Sequence, residues 1–286
     1  MTRRTVRLAH VLSSTALAAG ALLATAACAQ EDGREAGAAG ISASPAAARQ
    51  QTESPTGSPT GSPTGSPTGT LTESGAETAL ITAADIEDDW TQVKDTEAEN
   101  WHDGLLIGKV DVSDFLSAKT DAADCQRLMD SLFDDDLLGK PSGANALRGF
   151  TEGDSRLLYQ VAAYDRTDVQ DSLNWMAELP QECDQFTMTE NGEERTVQVT
   201  ESSLPSVGDA REGLRVTVRG PVDGTEATLT LDVAAVRVGD NAITVTAGGT
   251  DGDEDDSVRS AVQLGTQRLQ DVLAGKSPAA SPSQFD

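Results

Sequence analysis

The chain has 286 residues, of which 47 are acidic and 21 are basic, so its formal net charge at pH 7 is −26. This excess of negative charge disfavours binding to nucleic acids and to anionic lipid surfaces, since both are polyanions. We therefore expect neutral, cationic or polar partners and no nucleic acid, with solubility as the simplest role of the acidic residues.

The N-terminus has the pattern of an export signal. Arg3, Arg4 and Arg7 precede a short apolar run, Val11–Ala27, which ends in small residues. A basic segment, a short apolar segment and small residues before a cleavage point are typical of a signal peptide. The run is also too short and too interrupted to cross a bilayer. We predict a signal peptide over residues 1–27.

Residues 22–28 read Leu-Leu-Ala-Thr-Ala-Ala-Cys and resemble a bacterial lipobox. This resemblance implies lipidation of Cys28 by diacylglycerol, followed by cleavage, and a lipid anchor on the outer face of the cell membrane. Thr25 stands where a lipobox usually has leucine, so ordinary cleavage after Ala24–Ala26 stays open. Both the Sec and the twin-arginine export routes also stay open.

The three cysteines fit an exported protein. If Cys28 is lipidated, Cys125 and Cys183 remain as an even pair in an oxidising compartment, where disulfides persist. We predict a Cys125–Cys183 disulfide. A zinc site is not expected, because the cysteines are far apart and His102 is the single histidine after the signal.

Composition divides the rest of the chain into a linker, a domain and a tail. Residues 28–73 hold the lipidated Cys28 and a Ser/Pro/Thr/Gly linker, in which Ser-Pro-Thr-Gly occurs four times from Ser54 to Gly69. Such a segment has little apolar surface to bury, so we predict a disordered tether. Whether its Ser and Thr residues are glycosylated stays open. Residues 74–275 are long enough for one domain, and residues 276–286 are a predicted disordered tail.

The first half of the domain is predicted to mix helices and strands. Thr82 is a candidate cap for a short helix running toward Trp90, and Leu105–Val112 is a candidate strand. A helix from Thr120 places an apolar stripe on one face, which includes Cys125. Strands follow over residues 146–151 and 156–164. Thr167 is then the predicted cap of a second helix, which Pro180 ends.

The second half is predicted to be mainly strands joined by tight turns. Asn191-Gly192, Asp223-Gly224 and Gly239-Asp240 separate apolar or alternating segments, as β-hairpins require. A closing helix follows, with Val258, Val262 and Leu269 on its apolar face. Hairpin-joined strands with intervening helices indicate an α+β fold: an antiparallel sheet with helices packed mainly on one face, in a single domain after the disordered tether.

Catalytic motifs are absent from the sequence. It has no Gly-x-Ser-x-Gly, no His-Glu-x-x-His, no Walker loop and no dinucleotide fingerprint. His102 lies in Trp101-His102-Asp103-Gly104, which we interpret as a polar surface loop. We predict no enzyme, with no catalytic residues, no cofactor and no metal; a carboxylate pair for glycoside hydrolysis is not marked out by any pattern.

Two acidic runs are interpreted as helix-end features. Residues 251–256 resemble a calcium loop, but Asp256 occupies the glycine position and Val262 the position of the bidentate glutamate. We therefore expect this run to complement the dipole of the following helix. Asp134–Asp136 is interpreted as a solvated helix exit.

Four short stretches carry a resemblance to a known family. They are Ala122–Cys125 at a helix start, Trp175 followed by Cys183 and Phe186, Pro205-x-x-Gly208-Asp209, and Val236–Asn241 leading into a strand. From about Leu80 to Leu273 the chain resembles the extracellular sensor domain of PknH-type actinobacterial serine/threonine kinases, and lipoproteins that share it. The resemblance implies a mixed α/β domain with a polar cleft for an extracellular ligand. Kinase-linked members usually hold two disulfides, whereas this chain has cysteines for one.

The leading functional hypothesis is a membrane-tethered, non-catalytic binding or sensor module for a small polar ligand or a cell-envelope component. No ligand-binding residue is identified, the partner is an unknown extracellular ligand or envelope protein, and a monomer is expected. The alternatives are a protein-docking envelope factor, a lipid carrier and, last, a hydrolase.

Overall fold

A computed structural model describes residues 69–86, 89–101, 106–107, 110–111, 122–190, 192–222, 224–250, 252 and 254–279. These residues belong to one structural unit, Thr60–Asp286. The predictions for the signal peptide, Cys28, most of the linker, His102 and the end of the tail lie outside the described residues. They remain predictions.

The central element is an eight-stranded antiparallel sheet with the order β1-β4-β5-β10-β9-β8-β7-β6. Its strands are β1 (Thr91–Gln92), β4 (Asn145–Glu152), β5 (Ser155–Ala163), β6 (Gln185–Glu190), β7 (Glu193–Glu201), β8 (Ala210–Val222), β9 (Thr225–Val238) and β10 (Asn241–Gly249). A separate two-residue ladder joins β2 (Leu106–Ile107) and β3 (Val110–Asp111). The predicted α+β fold with an antiparallel sheet is confirmed.

Five α-helices accompany the sheet in the described part of the chain. They are α1 (Glu73–Ala79), α2 (Asp95–Ala98), α3 (Ala123–Phe133), α4 (Arg166–Glu182) and α5 (Asp255–Leu273), and a 3₁₀ helix spans Ala83–Asp85. No helix of these residues combines the length and the apolar character needed to span a membrane.

The helices cover both faces of the sheet, so the prediction that they pack mainly on one face is wrong. One buried cluster holds the apolar residues of α3 and α4, and a second holds those of α1 and α5. In β9, Leu231 and Val233 belong to the first cluster while Ala234 and Val236 belong to the second. Successive side chains of a strand point to opposite faces, so the near-continuous apolar run in β9 requires cover on both. We call these the α3/α4 face and the α1/α5 face.

The predicted disulfide is present on the α3/α4 face. Cys125 in the first turn of α3 is bonded to Cys183 at the end of α4, with the Cα atoms 5.6 Å apart and both residues buried. The bridge closes a loop of 58 residue steps, which constrains the unfolded chain by about 4 kcal/mol.

Helix ends were predicted less well than strands. Pro180 does not end α4, since the helix continues to Glu182. Pro180 lies in its last turn. The N-cap of α4 is Asp165 instead of Thr167. Thr82 is the N-cap of a short helix that starts at Ala83, as predicted, but this 3₁₀ helix ends at Asp85 and does not run toward Trp90. Helix α1 was not predicted; its buried residues are Ala76 and Ala79, which give a weak apolar signal.

Candidate ligand-binding site

A cavity of 380 Å³ lies at one end of the sheet, beside the turn between β9 and β10. We call it the turn cavity. It is lined by five stretches that are distant in sequence: residues 69–71, 142–144, 163–164, 166 and 239–241. Leu71, Ala144 and Ala163 supply apolar surface, while Ser142, Arg166 and Asp240 supply polar groups. This mixture, at a volume within the range of small-molecule sites, suits a small polar ligand.

Backbone hydrogen bonds align three of these stretches. The N–H of Ser142 donates to the carbonyl oxygen of Ala163 at 2.9 Å, and the N–H of Ala163 donates to that of Ala144 at 2.8 Å. The N–H of Tyr164 donates to the carbonyl oxygen of Asp240 at 2.9 Å. The cavity wall is therefore a continuation of the sheet, and its geometry is set by the register of β4, β5 and β10.

The turn between β9 and β10 is fixed from the side by Asp209. Gly239 begins the two-residue turn with a φ of 64°, which glycine adopts readily. Its N–H donates to Oδ2 of Asp209 at 2.7 Å, and its carbonyl oxygen accepts from Nη1 of Arg237 at 3.2 Å. Arg237 and Asp209 also form an ion pair at 3.6 Å. The position of Asp240 at the cavity rim is thus determined by contacts on both sides of Gly239.

The segment that carries Asp209 packs closely on β9. Gly208 has a φ of 69°, and a Cβ atom there would lie 2.4 Å from Cγ1 of Val236 and 2.8 Å from the carbonyl oxygen of Arg237. Only glycine permits this approach. The stretches Pro205–Asp209 and Val236–Asn241, which were singled out in the sequence, therefore meet in space next to the cavity.

The rim of the cavity carries one ion pair. Nε of Arg166 lies 2.7 Å from Oδ1 of Asp240, and both side chains are about two-thirds exposed, at 64% and 67%. The hydrogen bond to Asp240, followed by the negative charges of Asp240 and Asp209, raises the pKa of Arg166. Both side chains are accessible to a ligand.

Tyr164 also lines the turn cavity. The residue is buried, and its hydroxyl donates to Oε1 of Gln160 at 3.5 Å, while the hydroxyl of Thr244 donates to the same oxygen at 3.3 Å. Burial, and secondarily the charge of Asp136, raise the pKa of Tyr164. The hydroxyl is therefore a neutral donor with no acid–base role at physiological pH.

Two more open grooves lie elsewhere on the domain. A groove of 440 Å³ follows the end of β7 and the start of β8, and includes Ser203 and Glu212. Another of 570 Å³ runs along α3, where Asp130, Asp134 and Asp136 make it acidic. Both grooves also carry charges of both signs, with Arg211 in the first and Arg127 in the second, but both are more open to solvent than the turn cavity. Within the described ranges, no group of three or more His, Cys, Asp and Glu residues could hold a metal ion.

The interpretation of Asp134–Asp136 as a solvated helix exit is wrong for Asp135. Asp135 has a left-handed backbone with a φ of 56° and accepts a hydrogen bond from Nε1 of Trp101. Desolvation by burial raises its pKa from 3.8 to about 7; the Trp101 bond opposes this, and the charges of Asp134 and Asp136 add to it. Trp101, expected in a polar loop, is buried at 4% exposure. Asp135 and Trp101 therefore join the end of α3 to the segment after α2.

The second acidic run lies at a helix start, as predicted. Asp255 and Asp256 are in the first turn of α5. Asp255 accepts from the hydroxyl of Ser202 at 3.0 Å. Residues 251 and 253 lie outside the described part of the chain.

Sequence reasoning did not identify Arg166 and Asp240 as cavity residues. Gly239-Asp240 was predicted as a turn, but nothing in the local sequence links it to Arg166, which is 74 positions away. The available signal was the pair of stretches 205–209 and 236–241. Their structural roles are to build and brace the cavity rim.

Comparison with known proteins gives little further information. No protein-family model matches the chain, and no curated protein does. Among solved structures, the chain is similar to the extracellular domain of PknH from Mycobacterium tuberculosis, with 11% identity and a TM-score of 0.34, over 72% of this chain and 98% of that one. This likeness is too weak to carry a functional argument.

Proposed function

We propose that this chain is a non-catalytic binding module, exported and anchored through Cys28, which captures a small polar ligand in the turn cavity. The observation that carries the proposal is the cavity itself: apolar walls, a rim with an accessible charge of each sign, and a backbone held by Asp209 and the sheet. Such convergence of polar groups on a partly apolar cavity is typical of ligand sites.

The site is better suited to binding than to catalysis or lipid transport. Arg166 and Asp240 are exposed and paired with each other, and Tyr164 stays protonated, so the cavity offers no group poised for proton transfer near neutral pH. A 380 Å³ cavity with a charged rim is also a poor container for acyl chains. These features favour capture of a polar molecule over the hydrolase and lipid-carrier alternatives.

Native mass spectrometry of the full chain, extracted from its own membrane, would test this function. We expect an acyl modification that disappears in Cys28→Ala, together with a non-covalent mass that is lost on denaturation. Ser142 is exposed at the cavity wall, so Ser142→Tyr should fill the mouth and abolish the non-covalent mass. Ser203→Tyr, at an exposed serine of the β7–β8 groove, is the matched control and should retain it.

Each result has a defined meaning. A bound mass that persists in Ser142→Tyr and disappears in Ser203→Tyr would place the ligand in the other groove and contradict the proposal. A wild-type protein without a bound small molecule but with a co-purifying polypeptide would favour a docking factor instead. A wild-type protein without an acyl mass would show that the anchoring prediction is wrong.

A further inference from the structure

The charges around the turn cavity are balanced, in contrast to the rest of the protein. Arg166 pairs with Asp240, and Arg237 pairs with Asp209, which also acts electrostatically on Arg166. One cation and one anion therefore line the cavity, and a second ion pair next to it holds the turn, in a chain of net charge −26. At short range the Arg166–Asp240 pair offers one contact for an anionic group and one for a cationic group.

The stability of α4 does not explain why Arg166 is located here. Arg166 is the first residue of α4, where the positive end of the helix dipole disfavours a cation. Its side chain is 64% exposed, so it packs on little of the domain. The Arg166–Asp240 pair is likewise exposed to water, and exposed ion pairs contribute little to folding. Ligand recognition would account for a cation that neither the helix nor the core requires.

The two charged groups can be separated without disturbing the fold. Asp240 is held through its backbone, since its carbonyl oxygen accepts from Tyr164 and the preceding Gly239 is bound to Asp209. The carboxylate of Asp240 and the guanidinium of Arg166 are therefore presented by rigid elements while their side chains stay in solvent. A ligand that offers one carboxylate and one ammonium group can replace each partner of the pair with an equivalent charge-assisted bond.

We propose that the turn cavity binds an amine–carboxylate zwitterion, a free amino acid or a short peptide, whose carboxylate bonds to Arg166 and whose ammonium bonds to Asp240. The apolar surface of Leu71, Ala144 and Ala163 then receives the aliphatic part. This inference rests on the proposed function, of which it names the ligand class.

Isothermal titration of the full chain with a series of alanine compounds would test the inference. The probes are alanine, Ala-Ala, N-acetyl-Ala-Ala, which lacks the ammonium, and Ala-Ala amide, which lacks the carboxylate. We expect each blocked dipeptide to bind at least tenfold more weakly than Ala-Ala. Comparison of alanine with Ala-Ala separates an amino-acid site from a peptide site.

Substitutions at the rim assign each end of the ligand. Arg166→Gln should weaken Ala-Ala binding and remove the discrimination against the amide, while discrimination against the acetylated form remains. Asp240→Asn should give the reverse pattern. Arg259→Gln, in an exposed pair with Asp255 outside the cavity, is the matched control and should leave all affinities unchanged. Unchanged melting temperatures would show that the variants are folded.

The inference and the proposed function can fail separately. Equal binding of all four probes, or binding of none, overturns the zwitterion assignment. If native mass spectrometry nevertheless finds a bound molecule that Ser142→Tyr removes, the capture function stands with a ligand of another class. If neither experiment finds ligand in the turn cavity, both proposals are wrong.

Discussion

The two faces of the sheet are held by different kinds of interaction. On the α3/α4 face, the Cys125–Cys183 disulfide joins the two helices covalently, within a cluster that is otherwise apolar. On the α1/α5 face, buried polar contacts attach α5: the N–H of Glu254 donates to Oδ2 of Asp232 at 3.1 Å, and Nε1 of Trp90 donates to the hydroxyl of Ser257 at 3.2 Å. Within the described residues, both faces thus rest on apolar clusters, to which the α3/α4 face adds a covalent link and the α1/α5 face adds hydrogen bonds at the start of α5.

This difference means that the environment can act on each face separately. A reductant should loosen α3 and α4 without touching the contacts of α5. Loss of a buried charge under α5 should destabilise the domain whether or not the disulfide is intact. The turn cavity lies at the end of the sheet and is held by backbone bonds of β4, β5 and β10, so it should tolerate a moderate loss of stability from either face.

Removal of the disulfide is the largest expected effect. In a Cys28→Ala background, Cys125→Ala with Cys183→Ala should lower the free energy of unfolding by about 4 kcal/mol, because the unfolded chain regains the freedom of a 58-residue loop. Urea unfolding with and without dithiothreitol would measure it. The parent should shift on reduction and the double variant should not. A shift below about 1 kcal/mol would mean that the bridge does little to constrain the unfolded chain.

The elements on which these faces depend were not equally visible in the sequence. The disulfide followed from counting three cysteines in a chain predicted to be exported, and the strands followed from apolar segments between tight turns. The second helical layer was predicted only in part: the closing helix α5 followed from its apolar spacing, whereas α1 buries only alanines and was not predicted, and helices on both faces of the sheet were not expected. The turn cavity could not be predicted, because a cavity depends on register and on close packing between segments that are remote in sequence. Arg166 and Asp240 carry no local pattern that joins them.

A smaller effect is expected when the polar contacts under α5 are broken. Asp232 is 1% exposed and accepts from Nε of Arg215 at 2.7 Å, from its Nη2 at 3.1 Å, and from the N–H of Glu254. Asp232→Ala leaves all three donor groups without this acceptor and should lower the free energy of unfolding by about 3 kcal/mol.

The control for Asp232 uses another carboxylate at the same helix end. Asp256 is exposed in the first turn of α5, so Asp256→Ala removes only a favourable helix-dipole interaction, worth about 0.5 kcal/mol. For each variant, urea unfolding gives a loss of unfolding free energy relative to the parent protein. This loss should be the same with and without dithiothreitol. Similar losses for the two variants would show that the contacts of Asp232 do not specifically hold α5.

The smallest predicted effect is a pH dependence of stability, which arises from Asp135 at the end of α3. Burial raises the pKa of Asp135 from 3.8 to about 7, so the folded state binds a proton that the unfolded state releases near pH 4. Between these values the unfolded state holds fewer protons, and the contribution of Asp135 to stability is therefore lost as the pH rises from about 4 to 7. A shift of about three pKa units corresponds to at most about 4 kcal/mol, and solvent access should reduce this to about 2 kcal/mol.

Asp135→Asn isolates this effect from the titration of the other acids. Asparagine keeps an oxygen that can accept from Trp101, tolerates the left-handed backbone, and does not ionise. The variant should gain about 2 kcal/mol relative to wild type when unfolding is measured at pH 7.5 instead of pH 4.5. Asp171→Asn, at an exposed site on α4, should show no such gain. A pH-independent difference between Asp135→Asn and wild type would mean that Asp135 is ionised throughout this range, and that the contact between Trp101 and the end of α3 tolerates a full negative charge.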